Sequence, residues 1–234
     1  MSRPFNVAIE GSVGAGKTTV LRLLLEALKI AMPHITTSII LEPVEGWQDF
    51  LGENMLNNSY LWPATWGFQF QVLALQDMVR NYMKHTGSQL NIFERLPTTS
   101  TNVFAAKFLE DDIFNNTEMN ILRKLEDCLL SSNSLNDVDL ILYLRADPIV
   151  VRNRISARNR SEEASISIET LQQLNRLYDS HISNQEGATV VTIDANQDQE
   201  TVLKECSKEI ITRFNQVYGQ WQPLSPALTP VKRN

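Results

Sequence analysis

The sequence predicts an α/β fold in which helices flank both faces of a five-stranded parallel sheet. Short runs rich in β-branched and aromatic residues alternate with longer segments of helical periodicity. The predicted strands lie at 6–10, 35–42, 89–93, 139–144 and 188–193. A glycine-rich loop also joins the first strand to the first helix, as in many nucleotide-binding α/β proteins. Strands that alternate with helices favour a parallel sheet, because each connection must cross back over the sheet.

The helices are predicted from apolar residues that recur every three or four positions. The first predicted helix follows the glycine-rich loop and covers 20–30. Pro148 fits the first turn of another helix, where a missing backbone N–H costs nothing. Further helices are expected at 63–84, 168–181 and 200–214.

The chain length of 234 residues is compatible with one α/β domain, which we expect to span 1–218. After Tyr218 the composition shifts to prolines among small polar residues. This shift predicts a disordered C-terminal tail over 219–234.

Composition and charge narrow the range of partners. The formal net charge of −6 argues against a broad nucleic-acid surface, because such surfaces are usually basic. No apolar run is long enough to span a membrane, and the first strand begins too early for a signal or transit peptide. Cys128 and Cys206 lack metal-type spacing and are expected to be reduced. We therefore expect a soluble cytoplasmic protein with no nucleic-acid or membrane partner.

The glycine-rich loop has the pattern Gly-x-x-x-x-Gly-Lys-Thr over residues 11–18. Its glycines let backbone N–H groups surround phosphate oxygens, and the following helix points its positive end at the same anion. Lys17 would contact the outer phosphates, and the Thr18 hydroxyl would ligate Mg²⁺. A glycine-rich turn that binds nothing is the alternative. The residues expected to hold ATP are Gly11, Ser12, Val13, Gly14, Ala15, Gly16, Lys17, Thr18 and Thr19.

Acidic residues mark the ends of the first three predicted strands, at Glu10, Glu42 and Glu94. Ligands of parallel α/β sheets bind beyond the carboxyl ends of the strands. Glu94 could hold Mg²⁺ while Arg95 neutralises a transferred phosphoryl group, and a structural Glu–Arg pair is the alternative. Glu42 could accept a proton from an attacking hydroxyl, or it could simply end an edge strand.

Arginines are concentrated in the segment 152–160. Arg154 and Arg158 are four residues apart and therefore share one helix face. Acidic residues come only afterwards, at Glu162 and Glu163, so anion binding is favoured over a solvated helix face.

Aromatic residues are abundant around the second and third strands. Some of them could sandwich a planar base, although each one alone is more typical of a core residue. They are Trp47, Tyr60, Trp62, Trp66, Phe70 and Phe104. The three histidines have no ligand-like spacing and are assigned no catalytic role.

Six motifs, in order from Val7 to about Asp198, resemble the deoxynucleoside kinase family, which includes deoxycytidine kinase, mitochondrial thymidine kinase and the insect multisubstrate enzyme. They are Gly11-Ser-Val-Gly-Ala-Gly-Lys-Thr-Thr19, Glu42-Pro-Val-Glu-Gly-Trp47, Trp66-Gly-Phe-Gln-Phe-Gln71, Phe93-Glu-Arg95, Asp139-Leu-Ile-Leu-Tyr-Leu144 and Arg154-Ile-Ser-Ala-Arg-Asn-Arg-Ser-Glu-Glu163. The resemblance implies a P-loop kinase fold with an arginine-rich lid at about 152–165. It also implies ATP-dependent phosphorylation of a deoxynucleoside 5′-hydroxyl in nucleotide salvage, with Mg²⁺ as cofactor.

The resemblance also implies roles for individual residues. Glu42 matches the general base, Arg95 the residue that steadies the reacting oxygens, and Glu94 the Mg²⁺-associated carboxylate. The catalytic residues are then Glu42, Arg95 and Lys17, and the metal-site residues are Thr18 and Glu94. Residues expected in the nucleoside pocket are Glu42, Trp47, Tyr60, Phe70, Gln71, Met78, Arg95, Ser100, Phe104 and Glu163. Residues expected around the donor, in the lid and the adenine loop, are Arg154, Arg158, Arg160 and Asp194.

The chain departs from the family pattern after Arg95. Family members continue with a serine and later with an arginine–tyrosine pair, whereas this chain has Leu96-Pro97, similar to herpesviral thymidine kinases and compatible with a viral origin. Thr101 and Asn102 replace the arginine–tyrosine pair, so contacts on that side of the pocket are expected to differ.

Base preference follows from two further positions. Deoxycytidine-preferring members carry an arginine and an aspartate where this chain has Met78 and Ser100. A methionine and a small residue leave room for the thymine methyl group. We therefore expect thymidine to be a good substrate, together with other pyrimidine deoxynucleosides.

Two other functions are compatible with the nucleotide-binding loop. A nucleoside monophosphate kinase shares the loop and lid, but it must hold an acceptor phosphate near the carboxylate of Glu42. A GTPase-like switch or a nucleotide-binding module would need no acceptor site, and the chain lacks an Asn-Lys-x-Asp guanine motif. The resemblance also implies a homodimer formed through the long helices after the second and third strands.

Overall fold

The computed structural model describes residues 3–84, 87–131, 138–158, 160–163 and 166–219. The predicted C-terminal tail, 219–234, lies outside the described residues except for Gly219. Parts of the predicted lid, at 159 and 164–165, also lie outside them.

Within the described residues, five parallel strands form one sheet in the order β2-β3-β1-β4-β5. The strands are β1 (Phe5–Glu10), β2 (Thr37–Ile40), β3 (Leu90–Glu94), β4 (Leu140–Arg145) and β5 (Thr189–Asp194). β1 lies at the centre, where Val7 is in register with Ile92 of β3 and Leu140 of β4. The predicted fold class is therefore confirmed.

Helices occupy most of the chain between the strands. The α-helices are α1 (Lys17–Ala31), α2 (Val44–Gln48), α3 (Met55–Leu61), α4 (Pro63–Tyr82), α5 (Ala106–Glu110), α6 (Asn116–Ser131), α7 (Pro148–Arg158), α8 (Ile168–Ser183) and α9 (Gln199–Tyr218). A π-helical turn (Ser100–Ala105) precedes α5, and a 3₁₀ turn (Ser161–Glu163) follows α7. Pro148 opens α7, as its position predicted.

One difference from the predicted strand boundaries affects the site. The strand predicted at 35–42 ends at Ile40, because β2 is an edge strand whose pairing with β3 stops at Ile40 and Phe93. Glu42 therefore lies in a loop two residues beyond the strand. The helix α6 fits the long helix expected after the third strand, for which the sequence prediction gave no bounds.

The two faces of the sheet are covered by different helices. On one face α1 and α9 pack against Val7, Ile9 and Leu142 in the largest core cluster. On the other face Ala8 and Ile141 pack against α8 and the π-helical turn. Among the described helices, none combines the length and the apolar character that crossing a membrane requires.

Candidate active site

A cavity of about 460 Å³ lies beyond the carboxyl ends of β1, β2 and β3. Its volume is within the usual range for small-molecule sites. It brings together these predicted residues: Val13, Gly14, Gly16, Lys17, Thr18, Thr19, Glu42, Trp47, Tyr60, Phe70, Gln71, Met78, Glu94, Arg95, Ser100, Phe104, Arg158, Arg160 and Glu163. Five other predicted residues do not line it: Gly11, Ser12, Ala15, Arg154 and Asp194.

The glycine-rich loop at residues 11–18, which we call the phosphate-binding loop after its motif, connects the buried end of β1 to the first turn of α1. Gly11 and Gly16 both have positive φ, at 146° and 98°. A Cβ atom on Gly11 would lie 2.6 Å from the backbone oxygen of Leu144, so only glycine fits there. Since α1 begins at Lys17, the free N–H groups of its first turn are available to an anion at the mouth of the loop.

Lys17 is buried against its own loop. Its ammonium donates hydrogen bonds to the backbone oxygens of Gly11, at 2.8 Å, and Ser12, at 3.0 Å. Burial and the nearby charge of Arg95 lower the pKa of Lys17 to about 8. The Lys17 ammonium lies beside the first turn of α1, where it can attract phosphate oxygens together with the free N–H groups.

Thr18 and Glu94 form the oxygen donors expected of a magnesium site. The Thr18 hydroxyl donates to Glu94 Oε1 at 2.7 Å, and Glu94 Oε2 lies 3.4 Å from the backbone nitrogen of Glu42. No group of three acidic, histidine or cysteine side chains suited to a metal occurs among the described residues. One hydroxyl and one carboxylate fit Mg²⁺, because this ion usually takes its other ligands from phosphates and water.

Glu42 and Arg95 form an ion pair inside the cavity. The two side chains are only 13% and 8% exposed, so the pair is well shielded from solvent. Burial alone would lower the pKa of Arg95, but the carboxylate of Glu42 and other neighbours raise it well above its usual value. Arg95 therefore stays charged, and its guanidinium holds the Glu42 carboxylate in place.

The backbone of Arg95 adopts an unusual conformation, with φ of 69°. This region is unfavourable for a residue with a Cβ atom and persists only where the surroundings fix it. The Arg95 N–H donates to the oxygen of Ile9 at 3.1 Å, and the Tyr82 hydroxyl donates to the oxygen of Arg95 at 3.1 Å. The Arg95 Nε donates to the Tyr178 hydroxyl at 3.0 Å. Hydrogen bonds thus hold Arg95 both at its backbone and at its guanidinium.

Glu10 supports the turn that follows Arg95. Its Oε1 accepts hydrogen bonds from the Leu96 N–H and the Thr99 hydroxyl, both at 2.6 Å. Glu10 is fully buried, and burial raises the pKa of its carboxyl group. The sequence marked Glu10 as a strand end but assigned it no role, because its partners are more than 80 residues away in the chain.

The far end of the cavity is apolar and aromatic. Trp47 and Phe70 meet edge to face, with ring centroids 5.4 Å apart. Gln71 is 3% exposed, and its Oε1 has no hydrogen-bond partner among the described residues. An unpaired buried amide between aromatic rings can recognise the polar edge of a planar base. Met78 and Ser100 are buried beside it and add no charge.

The lid arginines fall into two groups. Arg158 and Arg160 both pair with the buried carboxylate of Glu163 at the cavity mouth. Arg154 instead donates to the backbone oxygens of Ala195, at 2.8 Å, and Gln197, at 3.3 Å. It therefore joins α7 to the loop after β5 that the sequence associated with adenine.

Asp194 lies at the start of the same loop. It is exposed, and its Oδ1 accepts from the backbone and side-chain nitrogens of Asn196, at 3.0 and 2.8 Å. Its position is compatible with a role in shaping the loop rather than lining the described cavity.

Several residues around the site were not identified from sequence. Asp77, Asn81 and Tyr82 on α4 bond to cavity segments, and Tyr178 on α8 supports Arg95. A polar residue on the buried face of a helix is a usable signal, and Asp77 and Asn81 interrupt the apolar stripe of α4. Trp62, which the sequence grouped with the aromatic residues, is 56% exposed and outside the cavity.

The chain is similar in sequence to several known proteins. A family model described as deoxynucleoside kinase matches residues 7–218. Deoxycytidine kinase of Mus musculus is 29% identical over 224 residues, which cover 82% of this chain and 84% of that protein. Mitochondrial thymidine kinase 2 of Homo sapiens is 25% identical over 202 residues, which cover 85% of this chain and 73% of that protein.

Proposed function

The chain belongs to the deoxynucleoside kinase family, and we propose that it transfers the γ-phosphoryl group of ATP to the 5′-hydroxyl of a pyrimidine deoxynucleoside. One observation carries the proposal. A buried carboxylate–arginine pair, Glu42 and Arg95, lies in the same cavity as the phosphate-binding loop and the Thr18–Glu94 pair. A cavity that only bound a nucleotide would not need this second charged pair beside an aromatic pocket.

The half of the cavity that would bind the phosphate donor is formed by the phosphate-binding loop and the first turn of α1. Its backbone N–H groups and Lys17 would surround the phosphates, and Thr18 and Glu94 would hold Mg²⁺. When bound, Mg²⁺ supplies positive charge to the outer phosphate oxygens. Arg158 and Arg160 line the cavity and pair with Glu163. If the two arginines released Glu163 and paired with phosphate oxygens instead, their positive charge would stabilise the donor.

The acceptor half depends on Glu42 and Arg95. Glu42 would accept the proton of the 5′-hydroxyl as that oxygen forms a bond to the γ-phosphorus and the bond to the β-phosphate oxygen breaks. Arg95 would orient Glu42 and neutralise charge on the transferred group. Tyr60, which lines the cavity near Glu163, would contact the deoxyribose.

The aromatic end supports a pyrimidine base. Trp47 and Phe70, which pack edge to face on each other, would form one apolar wall against the base, and the unpaired amide of Gln71 would pair with its polar edge. Met78 and Ser100 leave the region beside pyrimidine C5 free of charged groups, which favours thymidine.

The proposal is tested by steady-state assays with ATP, Mg²⁺ and each of the four deoxynucleosides, together with thymidine monophosphate. We expect thymidine to give the highest kcat/KM and thymidine monophosphate to be a poor acceptor. Faster turnover of the monophosphate would indicate a nucleoside monophosphate kinase. ATP binding without any acceptor-dependent turnover would indicate a binding module.

Glu42→Gln tests the proposed base. The amide can still accept a hydrogen bond from Arg95, so folding and ATP affinity should change little, whereas kcat should fall about 100-fold or more. The measurements are kcat, ATP binding by calorimetry and the melting temperature. Glu53→Gln removes an exposed carboxylate from the same region and should behave like the wild type. A kcat for Glu42→Gln within a few-fold of the wild type would remove Glu42 from this role.

Met78→Arg combined with Ser100→Asp tests the base preference. The larger, charged pair should crowd the thymine methyl group and lower kcat/KM for thymidine by roughly tenfold or more. Met78→Leu with Ser100→Ala keeps the pocket uncharged and should retain thymidine as a substrate. An unchanged thymidine kcat/KM in the charged double variant would contradict the assignment of these two positions.

A homodimer is proposed through the long helices α4 and α6. On α6 Ile121 is 51% exposed, and Leu125 and Leu129, four and eight residues further along, are only partly buried. These residues share one helix face. Sedimentation equilibrium should give twice the 26.6 kDa chain mass, and Ile121→Glu should lower it toward the monomer.

A further inference from the structure

Two buried polar side chains on α4 contact the segment that carries Glu42. The indole Nε1 of Trp47 donates to Asp77 Oδ2 at 3.0 Å. One helical turn later, Asn81 Nδ2 donates to the backbone oxygen of Leu41 at 3.1 Å. The two hydrogen bonds thus hold the chain on either side of Glu42.

These two contacts matter because the backbone of the segment makes few hydrogen bonds to the rest of the fold. β2 ends at Ile40 and is paired on one side only within the described sheet, and α2 is a single short turn of five residues. Between them, the Glu42 N–H lies 3.4 Å from Glu94, a long distance for a hydrogen bond. With so few backbone hydrogen bonds, the position of the loop depends on side-chain contacts, namely the Glu42–Arg95 ion pair and the two bonds to α4.

Asp77 has partners for both carboxylate oxygens. Oδ2 accepts from Trp47, and Oδ1 accepts from Arg80 at 2.7 Å. The Asp77 side chain is 11% exposed, whereas that of Arg80 is 67% exposed. A buried carboxylate without partners would be costly, so the bond to Trp47 is strongly favoured once α4 and α2 are packed together.

The same helix also carries the base-contacting residues. Phe70, Gln71 and Met78 all project from α4 into the cavity. An α-helix is stiff over this length, rising about 1.5 Å per residue. A segment fixed to α4 at Leu41 and Trp47 would therefore keep Glu42 at a fixed distance from Gln71.

From these contacts we infer that Asp77 and Asn81, which we call the α4 clasp, are positioning residues for the acceptor site. The inference rests on the proposed function. Asp77 fixes the ring of Trp47 against the base, and Asn81 fixes the backbone next to the general base Glu42. The clasp thereby sets the distance between the base-reading end of the cavity and the reacting hydroxyl.

The Asp77 bond is tested by separating nucleoside KM from donor KM. Asp77→Ala should raise KM for thymidine about tenfold, the range of one hydrogen bond to a charged group, with KM for ATP unchanged. Asp77→Asn keeps an acceptor for the Trp47 N–H and should restore KM to within about threefold of the wild type. Gln76→Ala, on the exposed face of the same turn, is the matched control.

The Asn81 bond is tested by kcat. Asn81→Ala frees the oxygen of Leu41 and should lower kcat about tenfold, with a smaller effect on KM for ATP. A purely structural role predicts instead that kcat, both KM values and the melting temperature all worsen together. That pattern in Asp77→Ala and Asn81→Ala would overturn the clasp.

A double-mutant cycle between Asp77→Ala and Trp47→Phe measures the Asp77–Trp47 contact in two ways, of which urea unfolding does not rely on turnover. In urea unfolding and in thymidine KM, Asp77→Ala should have a clearly smaller effect when Trp47 is already Phe. Equal effects in both backgrounds would overturn the inference. If the wild type phosphorylates no deoxynucleoside, the proposed function fails, and the unfolding cycle alone still decides whether Asp77 holds Trp47. If the wild type is active and Asp77→Ala leaves thymidine KM unchanged, only the clasp fails.

Discussion

At the scale of single residues, the site gathers charged groups that are rarely buried. Glu10, Lys17, Glu94 and Arg95 are each at most 7% exposed, and they lie at the carboxyl edge of the sheet. Burying a charge is tolerated only where it has partners, and the partners here are backbone atoms, hydroxyl groups and, for Arg95, the carboxylate of Glu42. The positive φ of Arg95 belongs to the same arrangement, because it turns the guanidinium from β3 toward Glu42.

A residue outside the cavity makes a separate prediction about stability. Glu126 on α6 is 8% exposed, and its Oε2 has no hydrogen-bond partner among the described residues. Burial raises the pKa of Glu126 from 4.5 to about 7. The folded protein therefore binds a proton at Glu126 more tightly than the unfolded chain does. The stability that comes from this proton is fully present below about pH 4.5 and is lost as the pH rises through about 7.

Glu126→Gln should remove this pH dependence. A neutral amide does not ionise, so at about pH 8 the variant should be more stable than the wild type by on the order of 2 kcal/mol, and at about pH 5 the two should be similar. Urea unfolding at both pH values measures the difference. Glu186→Gln, which changes an exposed carboxylate on another part of the surface, is the control. The same pH slope in Glu126→Gln and the wild type would contradict the assignment.

At the scale of elements, the site is formed by the connections between the ends of the strands and the helices that follow them. β1 passes directly into the phosphate-binding loop, whose Gly14 packs against α7. β3 ends at Glu94 and is followed by Arg95 and the turn that Glu10 supports. α4 carries both the α4 clasp and side chains that line the aromatic end of the cavity. The motifs on these elements were predictable, because each fits a local pattern of residue types.

Gly11→Ala tests the close packing of the phosphate-binding loop. The new methyl group would meet the backbone oxygen of Leu144 at 2.6 Å, and the φ of 146° is unfavourable for alanine. We expect a loss of stability of about 2 kcal/mol or more, with weakened ATP binding.

Gly187→Ala is the matched control for this substitution. Gly187 also has positive φ, at 84°, but no atom lies within 4 Å of the position of its Cβ. It should lose only about 1 kcal/mol, with ATP affinity unchanged. Equal losses in the two variants would show that backbone conformation, and not contact with Leu144, sets the requirement at Gly11.

At the scale of the whole molecule, parallel strands bring distant parts of the chain to one edge of the sheet. Glu42, Arg95 and Glu163 are separated by 50 residues or more along the chain, yet all three line one cavity. The strand order places β1 and β3 side by side, so the loop of one and the Glu94-Arg95 pair of the other become neighbours. The cavity follows from this topology, since the carboxyl ends of parallel strands all point the same way.

The sequence alone determined the fold class and the phosphate-binding loop, because each depends on residues close together in the chain, as a strand period, a helix period or a motif of fixed spacing. The resemblance of its motifs to a known family indicated most of the other residues that line the cavity. Only the tertiary structure showed the roles of Glu10, Asp77, Asn81 and Tyr178, and the division of the lid arginines between Glu163 and the loop after β5. Those roles depend on which distant residues meet in the interior, where a buried polar group must find its partner in space because no local pattern specifies it.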